Sequence, residues 1–269
     1  MSKDTRPIGI FDSGIGGLTV ANAINRLLPN ESIIYYGDSA HLPYGDKSAD
    51  AIRFFSLRIA KFFIQQNCKI IVIACNSASS TAYDTLIDFF GEEIIFINVI
   101  DPLVNNVLDL GFKNVGVIAT KATIATNVYQ SKLRAGNPTI QVNQLATPLL
   151  VPMIEEGFHK NQVSHSIISN YLDRKEFANI EALLLACTHY PLIKNEIQEF
   201  VSDQIKVLDP NEACASQVKD TLIKYNIINR GDKLKKDLFY VSDFSPSFLE
   251  TTKMFYGEQV DLQEALIWK

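Results

Sequence analysis

Ile70-Ile71-Val72-Ile73-Ala74-Cys75-Asn76-Ser77-Ala78-Ser79-Ser80 changes character at its cysteine. Up to Ala74 the run is apolar, β-branched and strand-sized; after Cys75 it is small and hydroxylated, the composition of a helix start. A strand without polar alternation is buried on both faces, which is the property of a parallel sheet covered by helices. The same switch recurs at Ala182-Leu183-Leu184-Leu185-Ala186-Cys187-Thr188-His189-Tyr190-Pro191.

Working outward, further strand candidates are 8–11, 33–36, 94–99, 115–119, 140–145, 205–208 and 238–241, separated by amphipathic stretches. Ile52, Phe55, Ile59, Phe62 and Phe63 share one helix face with Ser48 as N-cap, and Val20, Ile24, Leu27 and Leu28 share another. Alternation of this kind predicts an α/β fold. Several strand ends also match at nearly constant offset. Ile8-Gly9-Ile10 resembles Val115-Gly116-Val117, Val99-Ile100-Asp101-Pro102 resembles Val207-Leu208-Asp209-Pro210, and Ile73-Ala74-Cys75 resembles Leu185-Ala186-Cys187, at offsets of 107, 108 and 112. The expected architecture is therefore two pseudo-symmetric α/β domains with mainly parallel sheets covered by helices, and the active site in the cleft between them. Residues 1–98 plus 211–269 would form the first domain and 99–210 the second, the tail returning as helices plus one strand.

A chain of 269 residues, 47% apolar and 20% charged, is long enough to bury a large core without disulfides or metals. Its four cysteines (Cys68, Cys75, Cys187, Cys214) are too sparse for a disulfide scaffold and contain no C-x-x-C pair. Charges at the start of the chain and the absence of long apolar runs predict a cytoplasmic protein with free thiols and no membrane span. A net charge of −5, with no basic block longer than Lys233-Leu234-Lys235-Lys236, disfavours nucleic acid as a partner.

In parallel α/β sheets ligands sit at the carboxyl ends of the strands, where Cys75 and Cys187 both fall. Free cysteines are often plain core residues, but each of these is followed by neutral donors at a helix start, a setting that binds anions and favours a thiolate. Ser79 and Ser80 read as simple N-caps. Asp12-Ser13-Gly14-Ile15-Gly16-Gly17, after the first strand, is no dinucleotide fingerprint, because Thr19 stands where a glycine is needed, and no P-loop lysine follows. Asp12 is a helix cap or a group with a proton to move. The loop Gly37-Asp38-Ser39-Ala40-His41-Leu42-Pro43-Tyr44-Gly45, the stretch Ala119-Thr120-Lys121-Ala122-Thr123 and Pro152-Met153-Ile154-Glu155 complete the polar clusters.

Two reactions suit this set. One Cys-His pair can act as nucleophile and base in acyl transfer, which leaves the second thiol unexplained. Alternatively two thiols serve as base and acid on opposite faces of one carbon, inverting a stereocentre without a cofactor. A two-lobed amino-acid-binding module is the non-enzymatic alternative.

GIFDSGIGGLTV from Gly9, YYGDSAHLPYG from Tyr35, ACNSAS from Ala74, ATKATI from Ala119, VPMIEEG from Val151 and ACTHYPL from Ala186 together resemble the cofactor-independent glutamate racemases, in order and spacing across residues 7–210. The resemblance implies interconversion of L- and D-glutamate by two-base proton transfer, with D-glutamate supplied to peptidoglycan. It implies that Cys75, assisted by Asp12, handles the proton on the D side and that Cys187, assisted by His189, handles it on the L side. Substrate contacts are implied for Asp12, Ser13, Pro43, Tyr44, Gly45, Asn76, Ser77, Thr120, Glu155, Thr188 and His189, with glutamate as the small-molecule partner, no metal or cofactor, and a homodimer. Ser77 stands where the family usually has Thr, and Ala186 where Gly is commoner; His189 separates this pattern from aspartate-type racemases, whose second motif resembles Cys-Thr-Glu.

Overall fold

The apolar runs pair into two wholly parallel sheets. The structure is a computed structural model that describes residues 4–158 and 161–268; residues 1–3 and 269, at the ends of the expected first domain, and 159–160, within the expected second, lie outside the described residues. The strands are β1 (Ile8–Asp12), β2 (Ile33–Gly37), β3 (Ile70–Ile73), β4 (Ile95–Asn98), β5 (Asn114–Ala119), β6 (Gln141–Ala146), β7 (Ala182–Ala186), β8 (Lys206–Leu208), β9 (Leu238–Val241) and β10 (Leu262–Glu264). Around them lie α1 (Leu18–Leu27), α2 (Ala49–Gln65), α3 (Asn76–Phe90), α4 (Ile100–Asp109), α5 (Lys121–Ala125), α6 (Val128–Gly136), α7 (Leu150–Glu155), α8 (Gln162–Leu172), α9 (Lys194–Phe200), α10 (Asn211–Lys224) and α11 (Pro246–Tyr256).

One sheet has the order β10-β9-β2-β1-β3-β4 and the other β6-β5-β7-β8. Without β9 and β10 the two orders are the same, so the sequence repeats mark equivalent strands: β1 with β5 and β3 with β7. The likeness extends to packing. A Cβ on Gly9 of β1 would lie 2.8 Å from the Phe63 ring, and one on Gly116 of β5 would lie 2.7 Å from that of Phe177. In each half an aromatic ring rests directly on the backbone of the second strand from one end of the shared four-strand unit, and only glycine leaves room for it.

After β8, α10 packs against α1, α4 and β4, and the chain then adds β9 and β10 beside β2. The tail thus supplies one strand more than expected. β10 reads as irregular because it is three residues long, ends in Gln263-Glu264 and sits at the sheet edge, where no apolar run is required. A single apolar cluster runs from β1 and α1 through α10 to β7, so the halves share a core. Ser48 caps α2 by accepting from the Ala51 amide, as its position predicts. Leu27 departs from expectation: it is 37% exposed, and the buried face of α1 ends at Ile24, with Leu28 tucked in beyond the helix.

Candidate active site

β1, β3, β5 and β7 all end toward one cleft, of about 470 Å³ including its mouth. Both motif cysteines line it. Cys68 and Cys214 are core residues whose thiols are pushed up to about 12 by burial, and neither lines the cleft.

Cys75 is itself the N-cap of α3, its Sγ accepting from the Ala78 amide at 3.5 Å. Ser79 and Ser80 are therefore not caps. Their hydroxyls bond the carbonyls of Ile73 and Ser77, because the backbone bends at the cysteine rather than after it. The Cys75 thiol also points to Ser13 Oγ, at 3.7 Å. Burial pushes this thiol up to about 12, the nearby charge of Asp12 adds to the rise, and the Ala78 amide and Ser13 oppose it. Asp12 ends β1 and is wholly buried. Burial raises its carboxyl, while the charge of His189 and the amides of Gly14, Gly17 and Ser13 pull the other way. Its Oδ2 accepts from Gly14 N at 3.1 Å and its Oδ1 from Thr188 Oγ1 at 3.4 Å, so it reaches from one half to the motif of the other.

At the other end, His189 Nδ1 lies 3.9 Å from Cys187 Sγ and its Nε2 lies 2.9 Å from Glu155 Oε1. Burial pushes the imidazole down, but the bonds and charges of Cys187 and Glu155 outweigh that and lift it to about 10. At neutral pH both ring nitrogens therefore carry protons and donate. Phe255 of α11 backs the ring edge-on at 5.0 Å. On the remaining side stands Gly16, where a Cβ would fall 2.5 Å from the ring. The absence of that carbon lets the first turn of one half touch the histidine of the other.

The other expected residues converge as well. Ser13, Pro43, Tyr44, Gly45, Asn76 and Ser77 from the first half, and Thr120, Glu155 and Thr188 from the second, all line the cleft. Asp12, expected to contact substrate, does not line the cleft: it sits behind its wall, bonded to Gly14 and Thr188. Ser77 and Thr120 share a hydrogen bond of 2.9 Å across the halves. Asp38, which no motif argument singled out, holds the Pro43-Tyr44-Gly45 loop in place. Its buried carboxylate accepts from Tyr44 OH at 2.6 Å and Ser242 Oγ at 2.8 Å and pairs with His41 Nδ1 at 2.9 Å. The available signal was positional, since Asp38 follows β2 as Asp12 ends β1. Among the described residues no three His, Cys, Asp or Glu side chains gather as metal ligands, and no helix is long and apolar enough to cross a membrane.

The arrangement puts two thiols, each with its own ionisable neighbour, in one cleft rimmed by neutral donors. The sequence profile described as Asp/Glu/hydantoin racemase matches residues 8–218. The chain belongs to the Asp/Glu/hydantoin racemase family. This racemase is 37% identical over 259 residues to "Glutamate racemase 2" of Caldanaerobacter subterraneus subsp. tengcongensis, covering 96% of each chain. Its fold matches the crystal structure of glutamate racemase from Francisella tularensis in complex with D-glutamate, with a TM-score of 0.93, 39% identity and 98% and 99% of the two chains covered. It also matches glutamate racemase from Aquifex pyrophilus, with a TM-score of 0.81, 37% identity and coverage of 96% and 98%. The chain is thus an isomerase acting on amino acids, with the expected α/β architecture of parallel sheets covered by helices.

Proposed function

We propose that this racemase interconverts L- and D-glutamate by a two-base mechanism in which Cys75 and Cys187 carry the protons, and that the D-glutamate serves peptidoglycan synthesis. The observation that carries the reading is the pair of thiols at equivalent strand ends, both lining one cleft, one beside a carboxylate and one beside an imidazolium.

With L-glutamate bound, Cys187 as thiolate, paired with the His189 cation, takes the α-proton. Cys75, kept as a thiol by burial and by Asp12, gives its proton to the opposite face. One C–H bond breaks and one forms, and the proton lost to Cys187 balances the one given by Cys75. The α-hydrogen of an amino acid is far less acidic than a thiol, so the charge growing on the substrate carboxylate has to be met by donors. Asn76, Ser77, Thr188 and the amides opening α3 supply them in a closed cleft where they act strongly. D-glutamate takes the reverse route, starting from the Cys75 thiolate.

A cysteine amidohydrolase is the competing reading, because Cys187, His189 and Glu155 line up as nucleophile, base and orienting carboxylate. It leaves Cys75 without a role. Incubation with L-glutamate in D₂O, without pyridoxal phosphate, separates the two when optical rotation and the α-proton signal are followed together. Racemisation with deuterium at Cα is expected, and Cys75→Ala or Cys187→Ala each abolishes it. Full activity after either change sinks the two-thiol mechanism.

A further inference from the structure

Tyr129 is completely buried in α6, in the second half, yet its hydroxyl is directed at the first. It donates to Oδ1 of Asn76, 2.7 Å away, in the residue that follows Cys75. Burial, with the charges of Asp101 and Cys187 adding, pushes the ionisation of Tyr129 far above the ordinary tyrosine value, so this hydroxyl keeps its proton at any working pH.

An amide held by its oxygen has one free end. Asn76 is 2% exposed and lines the cleft, and its Nδ2 is a buried donor without a protein partner among the described residues. Buried donors are nearly always paired, so this one calls for an acceptor brought by a ligand. Turned over, the amide would offer the cleft an oxygen, which repels a carboxylate, and would cost the Tyr129 proton its acceptor.

We propose that Tyr129 is a positioning residue for racemisation: it fixes the Asn76 amide so that Nδ2–H is presented to a carboxylate oxygen of the bound amino acid, beside Cys75. The donor belongs to one half and the acceptor to the other. Asn76 is therefore correctly oriented only when the halves are together, and assembly of the cleft and readiness of the donor become one event. This role rests on the racemase reading above.

The test is a double-mutant cycle on the full chain, with kcat/KM for glutamate as readout. Tyr129→Phe keeps the ring and removes the hydroxyl, and is expected to lower kcat/KM about tenfold, the scale of one hydrogen bond. Asn76→Ala is expected to cost more, and Tyr129→Phe made in that background to cost nothing further. Losses that multiply instead, or a Tyr129→Phe enzyme with wild-type kinetics, overturn the role. Asn76→Asp, which keeps the shape and the acceptor but not the N–H, serves even if Tyr129→Phe folds poorly. It is expected to be as damaging as Asn76→Ala, and full activity in it overturns the role. Wild-type turnover of glutamate, measured alongside, tests the racemase reading by itself: an inactive wild type removes that reading and this role together, whereas an active wild type with additive losses removes only the role.

Discussion

Cys75 follows β3 and Cys187 follows β7, strands that occupy the same place in their sheets, but the chain beyond them differs. Cys75 caps α3, fifteen residues of regular helix whose amide at Ala78 reaches the sulfur. Cys187 is followed by a short 3₁₀ turn, Tyr190–Ile193, containing Pro191, before α9 begins. A long helix offers a thiolate its amides and dipole; a broken one offers little. At the second end the His189 imidazole, bonded to Glu155 at 2.9 Å, stands 3.9 Å from the sulfur instead. Two equivalent strand ends thus sit in different electrostatic surroundings: burial and Asp12 raise the first thiol against the pull of the Ala78 amide, and the second thiol faces the His189 imidazole.

The strongest way to break this comparison is to remove each neighbour in turn. Asp12→Asn and His189→Asn are each expected to lower turnover by about 10²- to 10⁴-fold, the range of general acid–base assistance. Mirror-image glutamates have equal free energy, so kcat/KM stays equal in both directions for any variant, and the asymmetry has to be read from isotope exchange. In D₂O the Asp12→Asn enzyme should exchange the α-hydrogen of L-glutamate faster than it racemises it, because the barrier rises on the Cys75 face. His189→Asn should do the same with D-glutamate. One common pattern in both variants would falsify the division of labour.

A smaller effect is expected at Gly16. Gly16→Ala places a carbon 2.5 Å from the His189 ring and 2.6 Å from Thr188 Oγ1, so the imidazole has to shift. Misplacement on the scale of 1 Å costs up to about 10²-fold in rate. We expect a kcat loss of roughly 10- to 100-fold with the fold intact by circular dichroism, and wild-type kcat in this variant would show that the approach of the two halves at Gly16 is not what positions His189.

Much of this was legible before the structure. Ile70-Ile71-Val72-Ile73 and Ala182-Leu183-Leu184-Leu185-Ala186 read as buried parallel strands because nothing polar interrupts them, and the helix faces followed from spacing. β10 was not legible, since a three-residue edge strand needs no apolar run. Leu27 misled because periodicity reports a face but not where the neighbouring element stops covering it. At the site, residues adjacent to a motif cysteine were readable. Phe255 and Tyr129 were not, because each acts through a partner far away in sequence, His189 and Asn76; Asp38 has near partners in His41 and Tyr44, but its burial and its bond to Ser242 come only with the fold. Local strings carry the groups that do chemistry; the groups that hold them are fixed by tertiary contacts.

The gentlest perturbation of the Cys187 end is Glu155→Gln, which removes a charge and keeps the shape. The imidazole of His189 rests at about 10 because Cys187 and Glu155 together overcome burial. Its folded value is raised above the ordinary 6.5, so the stability it contributes is fully present below pH 6.5 and lost as pH rises through about 10. Taking away the Glu155 charge weakens one of the two supports and leaves burial unopposed by it. The folded value then falls, and the proton is released at lower pH. Thermal melts between pH 7 and 10 should show a smaller alkaline loss of Tm for Glu155→Gln than for wild type, with turnover at neutral pH reduced only a few-fold, as one partly exposed hydrogen-bond partner to a charged group warrants. Cys187 still supports the His189 proton in the variant, so the alkaline loss that remains below about pH 9 belongs to His189, and the buried thiols Cys75, Cys68 and Cys214, raised from 9 to about 12, add theirs only above the ordinary thiol value. A variant whose melts track wild type across this range would mean that Cys187 alone holds the histidine proton.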